Sequence, residues 1–416
     1  MSVNAGTILT LAGNNVIDRL QSAGLGDVNV PVDTIREVGN ELVVDKIQQD
    51  PDFTFTMESL DVSTDMMAWL TGKVGAVASA SAPGASDPDG TEYKWEDVTR
   101  FVNIVSPWKD PASASGQVLA GHIVPGFYPT QISYRFGVTD NATQEVQLNG
   151  GAFYYGKFAP VEEFAAGDGS DTTFVTSDPA VHYRKGGAGG STFTSVFGVI
   201  VDGVLMTEGI DYTVTGGAAA PGSAATITFV IAPANGAQIR FAYFTSATKQ
   251  FPQSVHVASV VKPGAVRGRN ICVKLGSAEI RIGGVQAVEL TATIDGEVER
   301  EFCNTDPTGR TVNGTDCNGS ITVRSKDAAA FFTLMKNMTG VNTDQEVVGW
   351  LNDNPQALTI EIQNPLDTGE ILKTLYVSDA KFQVPGTPAR VNSPTDFAIQ
   401  WSAVNGTFSE FKGAKP

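Results

Sequence analysis

An ordered series of landmarks occurs twice in this chain, about 260 residues apart, with an unrelated stretch between the two occurrences. The first reads Thr34, Ile35, Arg36, Glu37, Val38, Gly39, Asn40, then a polar loop, an alternating run Phe53–Met57, a short helical stretch Asp65–Leu70 and Thr71-Gly72. The second reads Glu297, Val298, Glu299, Arg300, Glu301, Phe302, Cys303, Asn304, then a polar loop, an alternating run Ser320–Val323, a helical stretch Asp327–Met335 and Thr339-Gly340. Both keep Arg-Glu, an apolar residue, a small residue and Asn ahead of the loop.

The parallel continues downstream. Val105–Asp110 is matched by Ile362–Asp367, and Gln144–Phe158, with its Asn149-Gly150, by Phe397–Phe411, with its Asn405-Gly406. Self-similarity at so long a period marks domain-sized modules that pack against their like. Two fused copies allow a ring of sixfold geometry to be built from three chains.

At 416 residues the chain exceeds one compact core, since cores stop growing at roughly 250–300 residues, and suits three domains. Short runs rich in Val, Ile, Thr, Phe and Tyr, broken by 44 Gly and 21 Pro, describe a mainly β chain. The division expected is an N-terminal arm over 1–30, a first module over 31–160, an inserted β-sandwich over 161–250 and a second module over 251–416.

In the arm, Val16–Ala23 reads as a helix capped by Asn14 or Asn15 and stopped at Gly24. In the first module, strands are expected at Thr34–Val38, Phe53–Leu60, Arg100–Ile104, Val118–Val124, Ser133–Val138, Gln144–Leu148 and Ala152–Phe158. The Gly, Ala and Ser-rich segment Gly75–Gly90 reads as a loop. In the insert the strands are Phe193–Val201, Tyr212–Thr215, Ala225–Ile231 and Gln238–Tyr243. The second module has strands at Ile271–Leu275, Glu279–Ile282 and Val288–Asp295, and a helix whose first residue, Asp327, suits the N-terminal dipole.

Sites of chemistry are sparse. His122, His182 and His256 stand apart in the sequence, and no acid, base and nucleophile fall into a recognised constellation, so the chain reads as a non-enzyme without a cofactor. Asp168-Gly169-Ser170-Asp171 resembles a calcium loop but lacks its later Glu, and reads as a polar linker. Gly186–Gly190 and Gly283-Gly284 lack the strand-to-helix setting and the Lys-Ser/Thr of a phosphate loop. Cys272, Cys303 and Cys317 read as free thiols, although Cys303 and Cys317 bracket one loop. No apolar run approaches the roughly 18 residues of a membrane span, and Met1–Leu11 lacks the basic region of a signal peptide, so a cytoplasm-like compartment and no membrane insertion are expected. The net charge of −17 opposes tight binding to phosphate backbones.

With these landmarks in place, the chain resembles the major tail tube proteins of tailed bacteriophages, in the branch where the tube domain is duplicated within one polypeptide and three subunits make each ring. The resemblance rests on the order of features, from the strand ending in Arg36-Glu37 or Arg300-Glu301 through the long loop, the next strand, one helix and further strands. It implies two tandem β-barrel or sandwich domains, each with one short helix, whose strands join those of neighbouring subunits into a continuous inner barrel. Stacked rings would form a conduit for the genome, with DNA passing an acidic lumen that repels its backbone. Tape measure, tail terminator and distal tail proteins would be the partners, and the virion tail the location, after assembly in the host cytoplasm.

By this resemblance the loops Gly39–Pro51 and Cys303–Asp316 correspond to the long loop that contacts the adjacent ring. That points to Asn40, Glu41, Asp45, Lys46, Gln49 and Asp50 in the first copy, and to Asn304, Asp306, Arg310, Asn313 and Asp316 in the second, as stacking residues. Residues 1–30 and Phe411–Pro416 are further stacking candidates. The insert would stud the outer surface, which favours a long flexible tail over a contractile one. A second reading is a tail fibre or adhesin that holds host carbohydrate on aromatic side chains such as Tyr212, Phe241 and Tyr243. A third, a glycan hydrolase, would need two carboxylates facing each other across a cleft.

Overall fold

A computed structural model of the chain describes residues 10–12, 15–16, 20–25, 32–35, 45–48, 53–60, 65–71, 89–98, 100–110, 116–150, 154–184, 193–217, 223–250, 266–277, 279–299, 309–324, 355–367, 369–383 and 396–416. The fold is mainly β. Ahead of the insert come β1 (Thr10–Ala12), β2 (Asn15–Val16), β3 (Leu20–Leu25), β4 (Val32–Ile35), β5 (Asp45–Gln48), β6 (Phe53–Ser59), the helix α1 (Asp65–Thr71), β7 (Glu92–Lys94), β8 (Val102–Lys109), β9 (Val118–Gly137), β10 (Thr143–Gly150) and β11 (Tyr154–Gly156). The insert holds β12 (Ala159–Ala166), β13 (Thr173–Pro179), β14 (Tyr183–Arg184), β15 (Phe193–Thr194), β16 (Phe197–Val201), β17 (Val204–Leu205), β18 (Tyr212–Gly216), β19 (Ala224–Phe229) and β20 (Gln238–Thr245). After it come β21 (Ile271–Leu275), β22 (Ile280–Arg281), β23 (Val285–Glu299), β24 (Gly309–Arg324), β25 (Gln356–Gln363), β26 (Ile371–Phe382), β27 (Asp396–Ala403) and β28 (Ser409–Lys412).

The repeat read from the sequence is present in the strand pairing. In the first half β2 pairs β1, β1 pairs β8, β8 pairs β9, β9 pairs β10 and β11, β10 pairs β6, and β6 pairs β3. In the second, β22, β21, β25, β26, β27, β28, β24 and β23 take the same places in the same scheme. The register agrees residue by residue. Val102 opposite Phe127 and Val105 opposite Ile123 have as counterparts Gln356 opposite Ala380 and Thr359 opposite Tyr376. Gln144 opposite Ser59 has Phe397 opposite Val323. Irregularities recur at the same places, between Val102 and Ile104 and between Gln356 and Leu358, between Trp108 and Lys109 and between Ile362 and Gln363, and between Leu20 and Ser22 and between Val285 and Ala287. This register moves the downstream match by three residues, since Val102–Lys109 corresponds to Gln356–Gln363.

The halves are joined edge to edge. β9 pairs β23 from Gln131 opposite Thr293 to Gly137 opposite Ala287, and β28 pairs β7. One core therefore serves both halves, with Phe55, Met57, Trp95, Phe127 and Tyr134 of the first packed with Leu290, Ile321, Ile360, Leu375 and Trp401 of the second. No sheet closes into a barrel among the described residues. The helix α1 buries Met66 through Leu70 in this core, and the hydroxyl of Thr71 donates to Met67 O at 2.8 Å.

Several expectations are corrected. Val16–Ala23 is not a helix: its described residues fall in β2 and β3, because eight residues make a marginal helix in isolation whereas β3 gains a full ladder against β6. Val118–Val124 and, as far as Gly137, Ser133–Val138 are parts of one strand, β9, which bends at Gly126, with φ of 65°, and keeps its pairing past Pro125 and Pro129. The loop Gly39–Pro51 contains β5, hydrogen-bonded to β4, and most of the loop Cys303–Asp316 belongs to β24. That second segment has a single apolar side chain, Val312, packed against the edge of the core, so it carries no alternation to read. The expected helix Asp327–Met335 lies outside the described residues, as do residues 75–88 of the loop Gly75–Gly90.

Candidate assembly surface

Eight strands run side by side in the order β3, β6, β10, the C-terminal part of β9, β23, β24, β27 and the end of β26, four from each half. Successive side chains on a strand point to opposite faces, and the two faces here differ sharply. One row across the sheet is Met57, Val146, Ile132, Ala292 and Cys317, all buried in the shared core. The adjacent row, on the other face, is Ser22, Glu58, Glu145, Ser133, Thr291, Asn318, Ser402 and Lys381. Two residues further along either way, that face shows Thr56, Gln147, Gln131, Thr293 and Asp316, or Thr143, Arg135, Glu289, Ser320 and Gln400. It is thus polar across every strand, with Glu58, Glu145, Glu289 and Asp316 against Arg135 and Lys381.

Beyond this sheet β23 and β24 continue as a two-stranded arm, from Gly296 opposite Val312 to Glu299 opposite Gly309, past the last residues that pair with β9 or β27. β4 and β5 form the matching arm, with Val32 opposite Gln48 and Ile35 opposite Asp45. Of the stacking candidates, Asp45 and Lys46 lie on β5, Arg310 lies on β24 in this arm, and Asn313 lies on β24 at the irregularity where the arm begins. Lys46, opposite Thr34, and Arg310, opposite Val298, hold equivalent positions. Asp316 belongs to the polar face, opposite Thr293. Asn40, Glu41, Gln49, Asp50, Asn304 and Asp306 lie outside the described residues. Arg310 is turned back onto the first half: its Nη1 donates to Pro129 O at 2.9 Å and its guanidinium lies 4.5 Å from the Tyr128 ring centroid. Desolvation holds its pKa below the usual guanidinium value.

Sequence reasoning missed a buried polar knot where the halves meet. Tyr134 Oη donates to Glu410 Oε2 at 2.6 Å and Gln144 Nε2 donates to Tyr134 Oη at 3.3 Å, while Lys373 Nζ lies 2.8 Å from the same carboxylate oxygen. Burial, then the Glu410 charge, pushes the Tyr134 hydroxyl well above its ordinary pKa, so it remains a donor. Burial also raises Glu410, against the opposing pull of Lys373. The signal was present only as charged residues on otherwise alternating strands.

The insert is a two-layer sandwich, with β12, β20, β16 and β17 in one sheet and β13, β19 and β18 in the other. It is seated on the outer layer of the first half. Ile104 and Val124 of that layer face the shared core, whereas Val105 and Ile123 on its reverse pack with Phe197, Ala242 and Phe244 of the insert. Burying each of the valine, isoleucine and phenylalanine side chains contributes about 1.5–3 kcal/mol. Phe101 and Tyr128 likewise meet Ile200 and Leu205. Arg240 Nε and Nη2 lie 3.0 and 2.9 Å from Glu162 Oε1, and Asn103 Nδ2 donates to Gly198 O at 2.8 Å. The polar face and the insert are therefore on opposite sides of the core. Tyr212, Phe241 and Tyr243, named above for a carbohydrate cleft, are buried in the core of the sandwich.

Cys272 and Cys317 are buried thiols, and Cys303 lies outside the described residues. Asp168 closes a turn: its Oδ1 accepts from the Asp171 and Ser170 amides at 2.6 and 2.7 Å, which lowers its pKa. No helix among the described residues is long and apolar enough to cross a membrane. No protein-family model matches the chain, and comparison with curated proteins gives no match.

Proposed function

We propose that the chain is a structural subunit that closes, three copies at a time, into a ring lined by its polar sheet face, and that such rings stack into the tail tube of a bacteriophage. The carrying observation is the seam within the chain. β23 is paired on both edges, by β24 and β9, whereas its counterpart β3 pairs with β6 alone among the described residues. The same join made between chains would pair the open edge of β3 with a neighbour and leave a closed ring without sheet edges.

The dimensions agree with a conduit. About 24 strands spaced ~4.8 Å apart and tilted ~40° make a ring roughly 48 Å across between backbones, wide enough for a nucleic acid duplex. The acidic excess on the polar face would keep a phosphate backbone from adhering. The arms β4–β5 and β23–β24 would reach the next ring, and the insert, across the core from the polar face, would project outward. The order of sequence landmarks shared with tail tube proteins supports the same reading, and with it a place in the virion tail beside tape measure and terminator proteins.

Negative-stain electron microscopy of the purified chain tests this. Rings or tubes with three outer knobs around a sixfold-like bore are the expected result; six knobs would replace the three-chain ring by a six-chain one, and lone elongated particles would overturn the tube.

A further inference from the structure

The two outer layers match in register but are not covered alike. The seat of the insert includes Phe101, Asn103, Val105 and Ile123. The equivalent positions in the second half, by the shared pairing of β8 with β9 and of β25 with β26, are Pro355, Ala357, Thr359 and Tyr376. No second sandwich covers them among the described residues. Instead these four, with Ser277, Glu279, Gln356, Ser378 and Lys415, line a cavity of about 410 Å³. The apolar seat of one half is a polar hollow in the other.

We propose that this hollow is a binding site for a neutral, hydroxyl-rich ligand of mono- to disaccharide size. Its volume falls within the range of roughly 300–1,000 Å³ typical of small-molecule sites. The lining decides the chemistry. Its two formal charges are of opposite sign and cancel: Glu279, whose Oε2 lies 3.3 Å from Lys274 Nζ, and Lys415, whose Nζ lies 3.7 Å from the Tyr376 ring centroid. An ion would find no net charge of opposite sign. An apolar ligand would find little to contact, since Pro355 and Ala357 are the aliphatic members of the lining. What remains is the hydroxyls of Ser277 and Thr359 and the Gln356 amide, which both donate and accept, and Ser378 Oγ, which donates to Asp379 Oδ2 at 2.8 Å and is left to accept; such a set suits the adjacent hydroxyls of a sugar.

This site does not depend on the tube reading, and its test is independent of assembly. Saturation-transfer NMR on the intact chain would use glucose, galactose, N-acetylglucosamine and maltose as probes, benzoate as the apolar anion and sulfate as a competitor. Transfer to at least one saccharide is expected, unaffected by sulfate and weakened about tenfold or more by Ser378→Trp, which fills the hollow, and by Gln356→Ala, which removes an amide without adding bulk. Each variant is to be compared at an unfolding midpoint equal to that of the parent chain, and Gln356→Ala carries the test if Ser378→Trp does not fold. Absence of transfer to every saccharide, transfer that survives both substitutions, displacement by sulfate, or a preference for benzoate would each overturn the proposal.

Discussion

Lys373 Nζ sits 2.8 Å from Glu410 Oε2 with both side chains wholly inside the protein, at 0% exposure, in the core that the two halves share. The pair is not repeated in the first half, where the register puts Ala120 and Tyr155 at the corresponding places. It therefore breaks the symmetry of the repeat at the point where Tyr134, from the first half, reaches across to the same carboxylate.

Removing one member leaves a buried charge without its counter-charge, whereas removing both leaves no buried charge, with Gln144 Nε2 still donating to Tyr134 Oη. Lys373→Met or Glu410→Leu alone is expected to cost about 3–5 kcal/mol, and the double variant to recover most of that loss. Urea unfolding of the four proteins of the cycle measures it; additive losses would show that the pair is not coupled.

His122 packs edge-on to the Trp108 ring, with centroids 6.1 Å apart, and desolvation lowers its pKa from 6.5 to about 4. The folded state therefore binds fewer protons than the unfolded state between these values, so the stability it contributes is present above pH 6.5 and is lost as pH falls toward 4. The total is on the order of 3 kcal/mol at most. His122→Phe is expected to flatten the fall in unfolding midpoint over that window; an unchanged profile would place the titration elsewhere.

The insert seat rests on a buried ion pair and on one close approach. Arg240→Met strands the Glu162 carboxylate, 4% exposed, and is expected to cost about 3–5 kcal/mol. Gly198 has φ of 53°, and a Cβ there would come within 2.2 Å of Asn103 Oδ1 and 2.6 Å of Pro125 Cβ. Gly198→Ala is thus expected to lift the insert off its seat. Limited proteolysis reads both variants: cleavage within the insert should precede loss of the shared core, and simultaneous loss would mean that the seat is not a separable contact.

Backbone N–H groups of successive strand residues point to opposite edges, so of Ala23→Pro and Gly24→Pro one removes a donor to β6 and the other a donor on the open edge of β3. The second is expected to leave the monomer folded and abolish rings. Analytical ultracentrifugation with circular dichroism separates the two effects, and rings formed by both variants would remove β3 from the seam.

The sequence made the repeat legible where side chains meet the core. Phe53–Met57 and Gln144–Leu148 alternate because one face of β6 and β10 is buried, and the helix at Asp65–Leu70 was found by its apolar run. It was silent where a lone apolar residue meets the core, as Val312 does along Gly309–Asp316, and misleading at Val16–Ala23, where pairing with β6 outweighs local preference. The polar face was within reach, since Glu58, Glu145 and Glu289 occupy alternate positions to core residues, but its continuity across eight strands depends on a join between segments far apart in sequence. The buried Lys373 and Glu410 show only as charges on otherwise alternating strands, which does not reveal that they meet.

The insert covers one half of the chain and, among the described residues, has no counterpart over its twin. In a closed ring of three such chains, dressed and naked faces would alternate around the circumference, so the inner surface would repeat nearly six times per turn while the outer surface repeats three times. Anything that grips the tube from outside would meet a threefold ratchet of knobs and hollows, and would register on it in half as many rotational positions as a guest threading the bore.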